Sequence, residues 1–252
     1  MGLGRSKTGP IAIDFGSYAL RVLQLGNRGG TQCVLDWALH VYPNTGGTPE
    51  ANRDAAIEAL RGILSDKKFS GKQVVTALGQ HDLIAKSVRL PEIPESELAA
   101  AVQYEAAERI KGLDDGAEIR FIPSGMLAGE ADSQQEVLVL AAREPVVRAH
   151  LEMLTELGLE SVGIDAAPCA VFRPFERYLR RDEDQDQINA FVDIGHASSW
   201  IVIARGDRIV LARSVDVGGA AFDRLVGAKL GVGAKEAGAL RRRVPGQRGK
   251  GH

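Results

Sequence analysis

Two aspartates stand where an apolar run would be expected to continue. Asp14 interrupts IAIDFGSYAL at 11–20 and Asp193 interrupts FVDIGHASSW at 191–200, and each precedes a glycine by two positions. A glycine after a strand lets the backbone approach a phosphate, small hydroxyl residues supply donors, and turn amides form an anion-binding concavity. A carboxylate cannot bind phosphate itself, but it can hold a hydrated Mg2+ that neutralises phosphate charge. In this reading Gly16 and Ser17 serve the first loop, and Gly195, Ser198 and Ser199 serve the second. One Asp-x-Gly turn is ordinary turn chemistry. Two in equivalent settings point to hairpins that clamp one nucleotide from both sides.

Other candidates carry less. GRSKTG at 4–9 lacks the glycine before Lys7 and precedes its strand instead of following it, so it is not a phosphate loop of the Walker type. His196 lies inside the second turn, where it can face a ligand or solvent. His150 sits beside the apolar face of a helix and reads as a packing residue, while His40 and His81 have no evident partner. No nucleophile and base pair emerges.

The elements that hold the loops follow from period and punctuation. Strands are expected at 10–15, 18–25 and 32–42, then a helix from Thr48-Pro49 with Ile57, Leu60, Ile63 and Leu64 on one face, and a strand at 73–78. A separate α+β module follows: a strand at 84–90, a helix at 95–111, strands near 118–127 and 136–142, and a helix from 145 to Gly158 with Val147, Leu151 and Leu154 inward. A strand at 161–165 and a helix at 168–180 lead to DEDQDQ at 182–187, read as a solvated linker. From 189 the opening order of parts returns, then helices at 219–230, with Phe222, Leu225, Val226 and Leu230 on one face, and at 233–242. The tail VPGQRGKGH is too polar to fold.

Composition bounds the function. The 252 residues suffice for one large domain or two ordinary ones, and a formal charge of −2 gives no electrostatic reason to expect nucleic acid or an anionic membrane. Cys33 and Cys169 are the only cysteines and read as reduced thiols of a cytoplasmic protein; no signal peptide or membrane span is evident.

IAIDFGSYALRVLQL and FVDIGHASSWIVI resemble the two phosphate motifs of the actin-like ATPase superfamily. SVRLPEIPESELAAAVQYEAAERI, EVLVLAAREPVVRAHLEMLTELGLESVGIDAAPCAVFRPF and SVDVGGAAFDRLVGAKLGV are similar to its pilus and division branch, the PilM family of type IV pilus systems above all. The resemblance spans residues 9–243. It implies an α/β, actin-like (ribonuclease H-like) fold with an inserted small α+β subdomain and an incomplete second half. The implied division is a first subdomain at 1–83, the insert at 84–158, a return with linker at 159–187, and a partial second subdomain with a basic tail at 188–252.

By resemblance, Asp14 and Asp193 organise the metal, the glycines and serines of both loops contact phosphates, and Arg21 replaces a phosphate-contacting lysine with a group of different shape. Where the family commonly reads Ala-Glu-x-Leu-Lys near the ribose, this chain has Ala237, Gly238, Ala239, Leu240 and Arg241. The family's Gly-Gly adenosine loop has no counterpart, and Gly218-Gly219 lies too close to the second motif to be it. The implied ligand is ATP with Mg2+, bound weakly or not at all, with at most weak ATPase activity. The implied role is a cytoplasmic scaffold, recruited to the inner membrane, that holds the N-terminal cytoplasmic tail of a PilN-like inner-membrane protein between the first subdomain and the insert. An uncovered apolar surface would favour self-association. The alternatives are an FtsA-like division protein, a GspL-like secretion protein, and a sugar kinase of the same fold; the kinase needs an acceptor base that no residue supplies.

Overall fold

The structure, a computed structural model, describes residues 7–43, 49–66, 69–113, 116–127 and 134–243. The expected cap at Thr48, residues 4–6 of GRSKTG and the tail at 244–252 lie outside the described residues.

Strands β1 (Lys7–Phe15), β2 (Ala19–Arg28) and β3 (Thr31–Val41) form an antiparallel meander. Helix α1 (Pro49–Ser65) crosses over to β4 (Gln73–Leu78), which pairs parallel with β1 through Ile11↔Val74 and Ile13↔Thr76. Later β8 (Glu160–Ala166) adds beside β4, which gives a five-stranded sheet of order β3-β2-β1-β4-β8. One face is packed as the period requires: Ile11, Ile13, Leu20, Val22 and Val74 meet Leu60 of α1 together with Met153 and Leu154 of α3 (Glu144–Glu156). Full burial of such a side chain stabilises by about 1.5–3 kcal/mol. Parallel strands are ordinarily covered on both faces. Here the opposite face stays open, and Trp37 on it is 64% exposed.

Between β4 and β8 lie β5 (Ile84–Pro91), α2 (Glu95–Arg109), β6 (Ala117–Leu127) and β7 (Gln134–Arg143), with sheet order β5-β7-β6. The central strand β7 is apolar on both sides for a reason. Val137, Val139 and Ala141 pack with Leu98, Val102 and Ala106 of α2. Leu138, Leu140 and Ala142 pack instead with Trp200, Val202 and Ala212. Those last residues belong to a third sheet, β11-β10-β9, built from β9 (Ile188–Ile194), β10 (Ser199–Arg205) and β11 (Arg208–Val215). Helix α4 (Ala167–Glu176) joins the layers by burying Phe172 in the same core.

Four details differ from the sequence reading. The helix expected at 168–180 ends at Glu176, because the amides of Tyr178 and Leu179 bond three residues back and the end tightens into 3-10 turns. The acidic run carries a 3-10 turn at Asp182–Asp184 and is tied down where Gln187 O accepts from Gly206 N. Leu151 faces outward on α3, whose buried side is set by Met153 and Leu154. The apolar stripe of α5 (Gly219–Leu230) is also exposed, with Leu225 at 70%. The buried positions of α5 are Gly219, Asp223 and Gly227, since glycine lets α6 (Ala234–Arg243) pack close through Ala237.

Candidate functional site

The two hairpins repeat each other at the level of single atoms. A Cβ on Gly16 would lie 2.9 Å from Ala19 O, and one on Gly195 would lie 2.7 Å from Ser198 O. Each loop therefore folds its backbone onto the carbonyl three residues ahead, and only glycine leaves room. In the second loop that carbonyl accepts from Gly195 N at 2.9 Å.

The loops also meet. Ser17 Oγ accepts from Ala197 N at 3.3 Å, although 180 positions separate the residues. The Tyr18 and His196 rings stand 5.0 Å apart, and the Arg242 guanidinium lies 5.6 Å from the Tyr18 ring centre. Helix α5 is anchored from behind, since Gly219 N donates to Gly195 O at 2.8 Å and Ala220 N to His196 O at 2.9 Å. A Cβ on Gly218 would come within 2.5 Å of His196 O, so this Gly-Gly pair is a brace for the second loop.

The predicted residues take different places around this junction. Asp14 is exposed at the end of β1 and opposes Arg21 on β2, whose Nη1 donates to Asp14 Oδ2 at 2.8 Å. Arg21, expected at a phosphate, is thus the carboxylate's own counter-ion here. Tyr42 feels the pair from below: burial pushes its hydroxyl up to about 12, and the Asp14 charge adds to that. Asp193 is exposed at the end of β9 and pairs with Trp200 across the ladder. Ser17 lies in the contact between the loops, and Ser198 closes the second one. Ser199 stands apart, because its buried hydroxyl donates to Val217 O at 2.6 Å. Among the described residues, no group of three or more His, Cys, Asp or Glu could hold a metal ion.

Sequence reasoning passes over Asp165. It closes β8 and lines the same cavity of about 570 Å3 as Asp14, Arg21 and Thr76, with Trp37 and Leu39 as the apolar wall. Arg173 holds it with contacts of 2.8 and 3.0 Å. The signal was present: Ile164-Asp165 at a strand end repeats Ile13-Asp14 and Val192-Asp193. Asp223 is a second omission. It is buried, accepts from Arg241 Nε at 2.6 Å, and would stand 2.9 Å from a Cβ on Gly238. At the position where the family commonly has glutamate, a side chain would have to displace the Asp223 carboxylate and the Arg242 guanidinium. A neighbouring helix places a carboxylate there instead.

The model of the family described as "Type IV pilus assembly protein PilM" matches residues 12–245. The chain belongs to that PilM family. A chain of a solved structure described as a PilM-PilN type IV pilus biogenesis complex is 26% identical, with a TM-score of 0.76 over 93% of this chain and 69% of that one. The cytoplasmic domain of EpsL, an inner-membrane component of the type II secretion system of Vibrio cholerae, shares the fold at 16% identity. Its TM-score is 0.50, with 86% of this chain and 74% of that chain covered. The ethanolamine utilization protein EutJ of Carboxydothermus hydrogenoformans shares it at 15% identity and TM-score 0.50, over 92% and 61% of the two chains. No curated protein sequence matches. The architecture is thus the α/β, actin-like fold that the PilM family implied, with the first meander inside a five-stranded sheet and its repeat in a three-stranded one.

Proposed function

We propose that this PilM-family chain is a scaffold for type IV pilus assembly that holds the N-terminal tail of a PilN-like inner-membrane protein and responds to Mg-ATP. The observation that carries the partner is the likeness, at 26% identity over 93% of this chain, to a chain of a solved PilM-PilN complex. Recruitment to the cytoplasmic face of the inner membrane follows from the partner. Among the described residues no helix is long and apolar enough to cross a membrane. The same proposal divides the chain at 1–83, 84–158, 159–187 and 188–252, a division supported by the separate sheets.

A cavity of about 240 Å3 suits one part of an extended tail. It lies where α1 supplies Arg53, the β4–β5 turn supplies Asp82, and α3 supplies Val146 and His150. Apolar anchors can enter beside Val146 while Arg53 and Arg143 meet acceptors of the peptide.

For the nucleotide, the contact between Ser17 and Ala197 supports one clamp made of two loops. Two exposed carboxylates, Asp14 and Asp193, fit a Mg2+ that keeps several waters and takes its other ligands from phosphate. The bound metal would neutralise phosphate charge. Gly16 and Gly195 keep the approach open, and Arg21 exchanges Asp14 for a phosphate oxygen when nucleotide enters. The Asp223–Arg241 pair and Gly238 leave a poor adenosine grip, so binding is weak and the nucleotide is regulatory rather than a turnover substrate.

Calorimetry with a peptide from the N-terminus of a PilN-like partner tests the scaffold. Saturable binding is expected, weakened about tenfold or more by Val146→Arg. A folded protein that gives no heat and no binding by a second method would overturn the partner assignment.

A further inference from the structure

Three guanidiniums near the two loops are held by carboxylates. Arg21 pairs with Asp14 at 2.8 Å, Arg173 with Asp165 at 2.8 Å, and Arg241 with Asp223 at 2.6 Å. Arg242, the next residue of α6, is placed differently. Among the described residues no carboxylate pairs with it, and its guanidinium lies over the Tyr18 ring, 5.6 Å from the centre. Tyr18 follows Ser17, and its ring stands 5.0 Å from that of His196, which precedes Ala197. Arg242 therefore reaches the residues that flank the contact between the loops, where Ser17 Oγ accepts from Ala197 N. Gly238 gives it room. Glycine inside a helix is unfavourable against alanine, so its place in α6 needs a reason. A Cβ there would lie 2.9 Å from Asp223 Oδ2 and 3.2 Å from Arg242 Nη2, so the ion pair and the second guanidinium fill the space a side chain would take.

We propose that Arg242 is a direct phosphate contact of the clamp, and that α6 thereby reads the phosphate chain of the ligand instead of its sugar or base. Resting on the nucleotide clamp proposed above, the assignment adds the ligand class: nucleoside triphosphates whatever their base, and inorganic tripolyphosphate, each with Mg2+. A guanidinium stacked on a ring keeps its N–H donors in its own plane, available to an acceptor. Phosphate accepts from such a fork through two oxygens at once. Asp14 and Asp193 can act on phosphate only through a metal, whereas Arg242 acts on it without one. The sugar finds less. Gly238 offers no side-chain acceptor to a ribose hydroxyl, Asp223 spends Oδ1 on Arg241, and a guanidinium only donates.

Displacement of a fluorescent ATP analogue in the presence of Mg2+ tests the contact. ATP, GTP and inorganic tripolyphosphate should displace the analogue at concentrations within about tenfold of one another, and adenosine should not displace it. Arg242→Ala should weaken all three by about tenfold or more, and Arg242→Lys, which keeps the charge without the fork, should recover part of the loss. The thermal midpoint should stay that of the unaltered chain in both variants, because Arg242 is exposed. Three results would overturn the assignment and leave the clamp standing: ATP preferred to tripolyphosphate by more than about tenfold, affinity that falls in Asp14→Ala but not in Arg242→Ala, or a loss in Arg242→Ala that appears only with a fall in thermal midpoint. An unaltered chain that binds neither the analogue nor tripolyphosphate would remove the clamp and the role of Arg242 together.

Discussion

The hairpins at 11–25 and 191–205 are written in the same local grammar and end in different company. Both close an apolar strand with aspartate, turn on a glycine that folds onto the carbonyl three residues ahead, and return antiparallel. After its meander the first gains α1 and then β4, which seals β1 from the free side. The second gains α5 and α6, which pack on each other and brace the loop, and β9 pairs with β10 alone among the described residues. Local sequence therefore builds the loop end of each half equally. What packs beside it differs between the two.

The largest contrast lies in how each half uses its apolar helix. Leu60 of α1 is fully buried in the first layer, so Leu60→Ala should cost about 3 kcal/mol or more in denaturant unfolding. Leu225 of α5 is 70% exposed, and Leu225→Ala should change stability by less than about 0.5 kcal/mol. Equal effects would mean that α5 is packed after all.

The loops give a smaller contrast. Gly218→Ala drives a methyl against the His196 and Gly195 carbonyls, both backbone, and should destabilise by about 2 kcal/mol. Gly16→Ala meets one backbone carbonyl at 2.9 Å and the movable end of Arg21, so its cost should be nearer about 1 kcal/mol. Thermal midpoints of the two variants, measured side by side, check the order.

Acid separates the layers more gently. His150 Nε2 and Thr76 Oγ1 form a hydrogen bond at 2.8 Å, and the His150 ring meets Phe15 edge-on. Burial, helped by Arg53, lowers its pKa from the ordinary 6.5. Below about pH 6.5 the unfolded chain then binds the proton more readily than the folded one, so stability falls as pH drops through that window. His150→Gln should flatten this part of the stability profile, measured by denaturant midpoints at several pH values. An unchanged slope would remove His150 from the account.

Most of the fold was legible because strand order, turn glycines and the amphipathic face of α1 are local signals. Leu60 with Ile57 and Ile63 went to the core as their spacing required. The misreadings have a common physical origin. Leu225 and Leu151 have core-like spacing, but burial is decided by partners distant in sequence, and α5 meets α6 through glycine instead. The two loops were legible as a pair, and their contacts were not. Spacing placed Asp14, but it could not reveal that Arg21 would neutralise it, that Ser199 would turn to Val217, or that Asp165 would share the cavity.

The central claim is that both loops work as one clamp, and titration with a fluorescent ATP analogue tests it most directly. Weak binding that requires Mg2+ is predicted for the unaltered chain, with loss of about tenfold or more in affinity in Asp14→Ala and in Asp193→Ala alike. Binding that survives both substitutions, or that depends on only one of the two aspartates, would contradict it.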